Sequence, residues 1–594
     1  MTFPSPIQLS TWSASLDSLL IAQAKGPSDF WLTKWMSPIW FLGVGIAVGV
    51  LAVILAVCLF KLLCNVPVWS KLAETSAGHS VAALITAALS LGAWLLITAN
   101  FSADQKPDSN EQLLIFIATA ILAAIVGWSL VFCSAVQPAK NAFSTLAEGS
   151  SGYIGLSILI VMLIGLLSTP LVEQPLRSLE SIPRLFQTGR VVIEQIIPAG
   201  TGEQQAPFVP IEFEVDQSLL QSLEIKTDRR ILLADAAQTR DFNTAPRRVD
   251  AAESLVWDRK SKEPLPLPPG TGRRLHIQNG EIDPAKVEFT IVTVPPVPEA
   301  SSIPITAVMI LFVGLAILLQ QAVAPRVSAV ALATVKNELA QPLFTVLMLL
   351  GTVAIVLFVF LSFNTFGEDI KLLKDCGITV IMLLAAFQGI WSASSSISEE
   401  IEGRTALTVL SKPIQRRSFV VGKFMGIFWI LVLMFVVLGA IELAAVAYKP
   451  IYEARETSNE APTWQVCHME MVRTVPGLLL GLMQATVLSA ISVALATRLP
   501  QLANIAVCFG VYIVGHLATA LVSSTVAGFE IVKFVAQLVS TIVPILEHFA
   551  MQAAIDAGNP IPISLLCGTL VYCLLYIMLS MFLALLLFED RDLA

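Results

Sequence analysis

Eleven stretches of this chain are apolar for about twenty residues or more, and few folds can accommodate that pattern. The hydrocarbon core of a bilayer is about 30 Å thick, and a helix needs about 20 apolar residues to cross it. No water is available there, so each backbone N–H and C=O must be satisfied within the segment. The runs fall at roughly 38–60, 81–99, 113–135, 153–172, 304–323, 342–363, 376–397, 419–447, 474–497, 502–524 and 562–588. They predict an all-α polytopic membrane protein with about eleven transmembrane helices. Composition agrees: 55% of the 594 residues are hydrophobic and only 13% are charged. The net charge of −8 is spread thinly, so no nucleic-acid partner is expected.

The region 173–303 reads differently. It is charged, Pro-rich and free of cysteine, and Ile211, Phe213 and Val215 alternate with Glu212, Glu214 and Asp216. That period of two marks a half-buried strand. Further strands are predicted at 190–196, 221–226, 229–234, 273–278 and 286–294, with a turn-rich break at 264–270. The expectation is an inserted extracytoplasmic β-sandwich-like domain. His276 in one strand has no partner pattern for acid–base work and reads as structural. The predicted organisation is a four-helix N-terminal block over 1–172, the β-rich insert over 173–303, a fifth span over 304–324 and a C-terminal domain over 325–594.

Orientation follows from loop Lys and Arg residues. The loop after the seventh run carries Arg404, Lys412, Arg416, Arg417 and Lys423 and is placed in the cytoplasm. Alternation puts Lys61, Lys71, Lys140, Arg326, Lys336 and Arg498 on the same side, and Asp104, Asp108 and Glu111 opposite. The C-terminus is then cytoplasmic and the 173–303 insert outside. Residues 1–37 lack the basic start and compact apolar core of a secretory signal peptide. Residues 6–24 are mildly amphipathic, as in a surface-lying helix.

The eight cysteines form no C-x-x-C pair and mostly lie in or beside apolar runs, so neither a disulfide framework nor a zinc site is expected. Cys467, His468 and Glu470 are neighbours in what reads as a polar loop, but three adjacent ligands without a fourth make a weak metal pattern. No cofactor or metal is expected, and no catalytic residues stand out. Glu442, inside the eighth run, is costly in a membrane and must face protein, water or headgroups, which makes it a candidate pathway residue. His516 in the tenth run reads as a satisfied structural histidine.

The most informative segment is 397–426. Glu399, Glu400 and Glu402 carry the seventh helix past the lipid, and Gly403 permits a turn. Thr405 can cap a short helix at 406–412 with Leu407 and Leu410 on one face. Lys412 suits its C-terminal dipole, and Pro413 ends it. Arg416 and Arg417 then fall at headgroup level. In detail the segment resembles the ABC-2-type permeases, the transmembrane subunits of one class of ABC transporter. Their pattern runs roughly E-x-x-x-G-T-x-x-x-L-L-S-x-P-[IV]-x-R, followed by an apolar residue, G-K and a glycine. The matching positions are Glu399, Gly403, Thr405, Val409, Leu410, Ser411, Pro413, Ile414, Arg416, Val421, Gly422, Lys423 and Gly426. Arg404 separates Gly403 from Thr405, which the family more often has adjacent.

The resemblance covers about residues 325–594. Residues 326–341, with Arg326, Lys336, Asn337 and Glu338, are similar to the family's interfacial elbow helix. The 525–561 connection, broken by Pro544, Asn559 and Pro560, is similar to its re-entrant pair, and 588–593 to its charged tail. The resemblance implies a permease, most often an exporter, in the bacterial cytoplasmic membrane. It implies pairing with a second permease copy or partner and a separate ATP-binding cassette subunit. Glu399, Glu402, Gly403, Thr405, Leu407, Leu410, Pro413, Arg416 and Arg417 would form the coupling segment that meets this subunit. The chain has no G-x-x-x-x-G-K-[ST], so no phosphate-cradling loop of its own and no enzymatic activity are expected. Two other classes fit the sequence less well: a membrane scaffold whose β domain recruits a partner, and an ion-coupled secondary transporter. The latter would need paired intramembrane carboxylates or matching halves, and no internal repeat is visible.

Overall fold

A computed structural model of the chain describes most of residues 31–589. The undescribed parts are 1–30, 73–74, 101–108, 186–187, 200–206, 212–218, 252–253, 260–274, 362–368, 400–414, 551–560, 590–594, and much of 235–244 and 524–542. The chain divides into two compact units, 174–301 and the remainder.

The larger unit is helical. Its first part comprises α1 (Trp31–Cys64), the short α2 (Pro67–Leu72), α3 (Ser76–Asn100), α4 (Ser109–Phe132), α5 (Val136–Ala147) and α6 (Gly149–Leu167). The chain leaves for the other unit, whose helix is α7 (Pro175–Arg184), and returns at α8 (Ser302–Val323). There follow α9 (Pro325–Ala340), α10 (Pro342–Phe360), α11 (Asp369–Ala393), a π turn (Ser394–Glu399), α12 (Arg416–Glu456), α13 (Trp464–Ala496), α14 (Gln501–Ser523) and α15 (Ile563–Glu589).

Each of the eleven apolar runs falls largely on a helix over its described residues. By length and composition, however, eight helices are able to cross a membrane among the described residues, or nine if the bent pair α5–α6 counts as one span. Of the expected eleven or so, eight or nine helices meet this test, in a mostly helical membrane-protein architecture. The runs in α11 and α14 are not among the helices that meet this test over the described residues.

Burial separates centre from periphery. The most apolar windows of α12 and α13 are 67% buried, against 11–33% for the other six crossing helices. A helix whose apolar surface stays uncovered by protein has lipid as its natural solvent. The N-terminal helices pack against the C-terminal ones within the larger unit. Trp35 on α1 donates its indole N–H to the Ala444 carbonyl of α12 at 2.9 Å, and Phe41 stacks on Trp464 of α13 with centroids 5.4 Å apart.

The smaller unit holds two four-stranded antiparallel sheets. The strands are β1 (Arg190–Ile197), β2 (Val209–Pro210), β3 (Leu220–Thr227), β4 (Ile231–Ala234), β5 (Arg247–Val249), β6 (Ser254–Asp258), β7 (His276–Asn279) and β8 (Ala285–Thr293). Their orders are β1-β8-β3-β6 and β2-β7-β4-β5. The inward residues of both sheets, among them Leu223, Ile225, Ile231, Leu233, Ile277, Val287, Phe289 and Ile291, form one core. A register irregularity between Leu220 and Ser222 lets Leu220 and Leu223 both point inward although they are an odd number of residues apart. At the surface, Asp250 accepts hydrogen bonds from Arg248 at 2.8 Å and Arg230 at 3.1 Å. The Arg248 bond leads in holding its carboxyl below the ordinary aspartate range.

Four of the expected strands coincide with β1, β3, β4 and β8. The one expected at 211–216 lies almost wholly outside the described residues, and β7 begins three residues later than predicted. Expressed alone, 174–301 is expected to be soluble, with a β-dominated circular dichroism spectrum and a cooperative melt, because its core closes on itself. A helical or non-cooperative spectrum would count against an independent unit.

Candidate functional site

Glu400 to Ile414 lie outside the described residues, so the structure places Glu402, Gly403, Thr405, Leu407, Leu410 and Pro413 nowhere. It does place both anchors of the segment. Glu399 is the last residue of the π turn, and exposed Arg416 and Arg417 are the first two residues of α12. Arg416 donates to the Glu589 carbonyl at the end of α15 at 3.1 Å, and Phe419 stacks on Phe588 with centroids 5.9 Å apart. The start of α12 and the end of α15 therefore meet beside the segment.

The glycines of the motif have a packing reason. A Cβ on Gly422 would sit 2.6 Å from Val330 Cβ, and one on Gly426 would sit 2.7 Å from Thr334 Cβ. Glycines four residues apart form a groove on α12 in which α9 lies. Helix α9 coincides with the segment expected to be an elbow helix, and its Glu338 is fully buried. Gln388 of α11 donates to Glu338 at 3.3 Å.

The anchor on the other side is a polar knot. Asn504 of α14 donates to Ser394 Oγ at 2.7 Å, and to the Ser492 carbonyl at 3.2 Å and hydroxyl at 3.0 Å. Ser398 donates to the carbonyls of Ala496 and Leu499, at 3.2 and 3.0 Å. The wider turn of a π segment frees backbone geometry that a regular helix would fix, and such turns recur at working sites. Here hydroxyls tie it to α13 and α14. The serines at 392, 394, 395, 396 and 398 were visible in the sequence, but nothing there pointed to Asn504 as their partner.

A second polar cluster occupies the opposite ends of α11, α12 and α13. Lys374 of α11 pairs with Glu470 of α13, whose other oxygen lies 4.0 Å from Arg473. Lys449 of α12 is 1% exposed. Its ammonium donates to the Val359 and Leu361 carbonyls at 3.0 and 3.3 Å, with Asp369 at 3.8 Å. Glu442 is fully buried, and among the described residues neither carboxylate oxygen has a hydrogen-bond partner. It rests on Gly377, where an added Cβ would lie 2.3 Å from the carboxyl carbon. Glu442 is thus enclosed by protein, and it does not line the large apolar cavity beside α12.

Cys467, His468 and Glu470 belong to α13 rather than to a polar loop, because that helix starts at Trp464. Among the described residues, no group of three or more His, Cys, Asp or Glu is placed to hold a metal ion. His516 lies 2.9 Å from the Gln484 amide and packs edge-on against Tyr512. His276 lies in β7, half-buried.

No protein-family model matches the chain, and no curated protein matches it.

Proposed function

We propose that the chain is the transmembrane permease subunit of an ATP-binding cassette transporter, an exporter driven by a separate ATP-binding subunit. One observation carries the reading: the Glu399–Gly426 pattern, with its short amphipathic stretch, links two helices that run into the centre of the bundle. Six helices, α10 to α15, follow α9, the helix that coincides with the expected elbow. In this reading Leu407 and Leu410 enter a cleft on the ATP-binding subunit, and a second permease copy completes the pathway.

Burying two leucines there contributes about 3–6 kcal/mol at most. Leu410→Asp places a charge that needs water at that contact. The variant should insert normally but lose co-purification with the ATP-binding subunit, or lose transport-stimulated ATP hydrolysis. Normal assembly and transport would remove the main support for the permease reading.

The proposed location is the bacterial cytoplasmic membrane, with 174–301 outside and the 400–414 segment inside. Ile282 is 81% exposed in the β unit. In a chain with its native cysteines replaced, Ile282→Cys should react with a membrane-impermeant thiol reagent on intact spheroplasts. Labelling only after lysis would reverse the orientation.

A further inference from the structure

Beside α12 lies a cavity of about 650 Å³, open on one side, between α1 and α6 of the N-terminal part and α10, α12 and α13 of the C-terminal part. This volume is within the usual range of about 300–1,000 Å³ for small-molecule sites. Ile160, Val356, Phe360 and Ala440 give the walls their apolar character. Ser157, a hydroxyl in the wall, donates to the Tyr153 carbonyl at 2.9 Å. The interior therefore holds an occupant mainly by dispersion and exclusion of water.

One end is different. Trp31 stacks on Trp35 with centroids 6.1 Å apart, and Tyr448 packs against both, at 5.9 and 5.3 Å. The Arg455 guanidinium lies 5.1 Å over the Trp31 ring and is exposed to solvent. Trp and Tyr collect where hydrocarbon meets headgroups, and Arg is suited to phosphate. The lining on α12 runs from Val436 to Tyr448, which at 1.5 Å per residue is about 18 Å. One leaflet of hydrocarbon is about half of 30 Å. The cavity thus has the polarity gradient and depth of a single leaflet, with a cation at its interfacial end.

We infer that this cavity is a binding site for a membrane phospholipid, with one acyl chain between the two helical parts and the phosphate at Arg455. The inference rests on the helices crossing a membrane and is independent of the ATP-driven reading, so either can fail alone.

The test uses the full chain with p-benzoylphenylalanine in place of Tyr448, irradiated after detergent purification and analysed by mass spectrometry. A phospholipid adduct is expected. The same probe at Leu349, which is 65% exposed on α10, should lose its lipid on purification. Ala440→Trp fills the cavity and should abolish the Tyr448-position adduct; Ala440→Leu, a milder change, should reduce it. Arg455→Gln should weaken labelling by a phospholipid but leave labelling by a diacylglycerol unchanged. The inference is overturned by an adduct to residues 1–30 of the same chain, by one to a second copy of the chain, or by lipid labelling that Ala440→Trp does not touch.

Discussion

Lys374→Met should lower the melting temperature of the detergent-solubilised chain. Lys374 is 7% exposed at its side chain, and Glu470 is 21% exposed. Removing one partner of a buried ion pair leaves the other desolvated and uncompensated, at a cost of about 3–5 kcal/mol. The low end applies here, because Glu470 keeps Arg473 within 4.0 Å. Adding Glu470→Leu should recover most of the loss, since an apolar pair of similar volume avoids both desolvation costs. A single variant that melts with the wild type would show that the pair does not hold α11 to α13.

The second large effect is steric. At the crossing of α1 and α6, a Cβ on Gly165 would lie 2.6 Å from Gly43 Cα and 2.8 Å from the Ile39 carbonyl oxygen. Both are backbone atoms and cannot swing aside, so Gly165→Val must push the helices apart. Overpacking of this kind costs about 1–3 kcal/mol and sometimes more. Small residues let membrane helices approach in this way. Thermal unfolding should show a marked drop for Gly165→Val and a smaller one for Gly165→Ala. Unchanged melting in both would mean that the helices do not cross here.

Period and hydropathy made the helices and four strands legible, because burying a continuous apolar run leaves a local mark. What they missed is non-local. The start of α13 was read as a loop because Cys467, His468, Glu470 and Arg473 interrupt the apolar pattern. The helix tolerates them because Glu470 finds Lys374, ninety-six residues away, and Cys467 is buried. Strands β5 and β6 were missed because both lie at sheet edges, where half the residues may stay polar without cost. Glu442 was recognised as an intramembrane carboxylate, but its enclosure against Gly377 depends on a helix pairing that no local pattern records. The motif at 399–426 was legible by residue type, whereas the fit of Gly422 and Gly426 against α9 emerged only in three dimensions.

Helix α12 runs unbroken for 41 residues, about 62 Å at 1.5 Å per residue, roughly twice the hydrocarbon thickness. Its Arg416 end adjoins the segment read as the contact for the ATP-binding subunit, while its far end carries Lys449 and Arg455. A rod of that length, held by α9 near its Arg416 end and by α11 and α13 further along, would act mechanically as a lever. A small tilt imposed at one face of the bilayer reappears at the other with opposite sign, and needs no relay of intervening side chains.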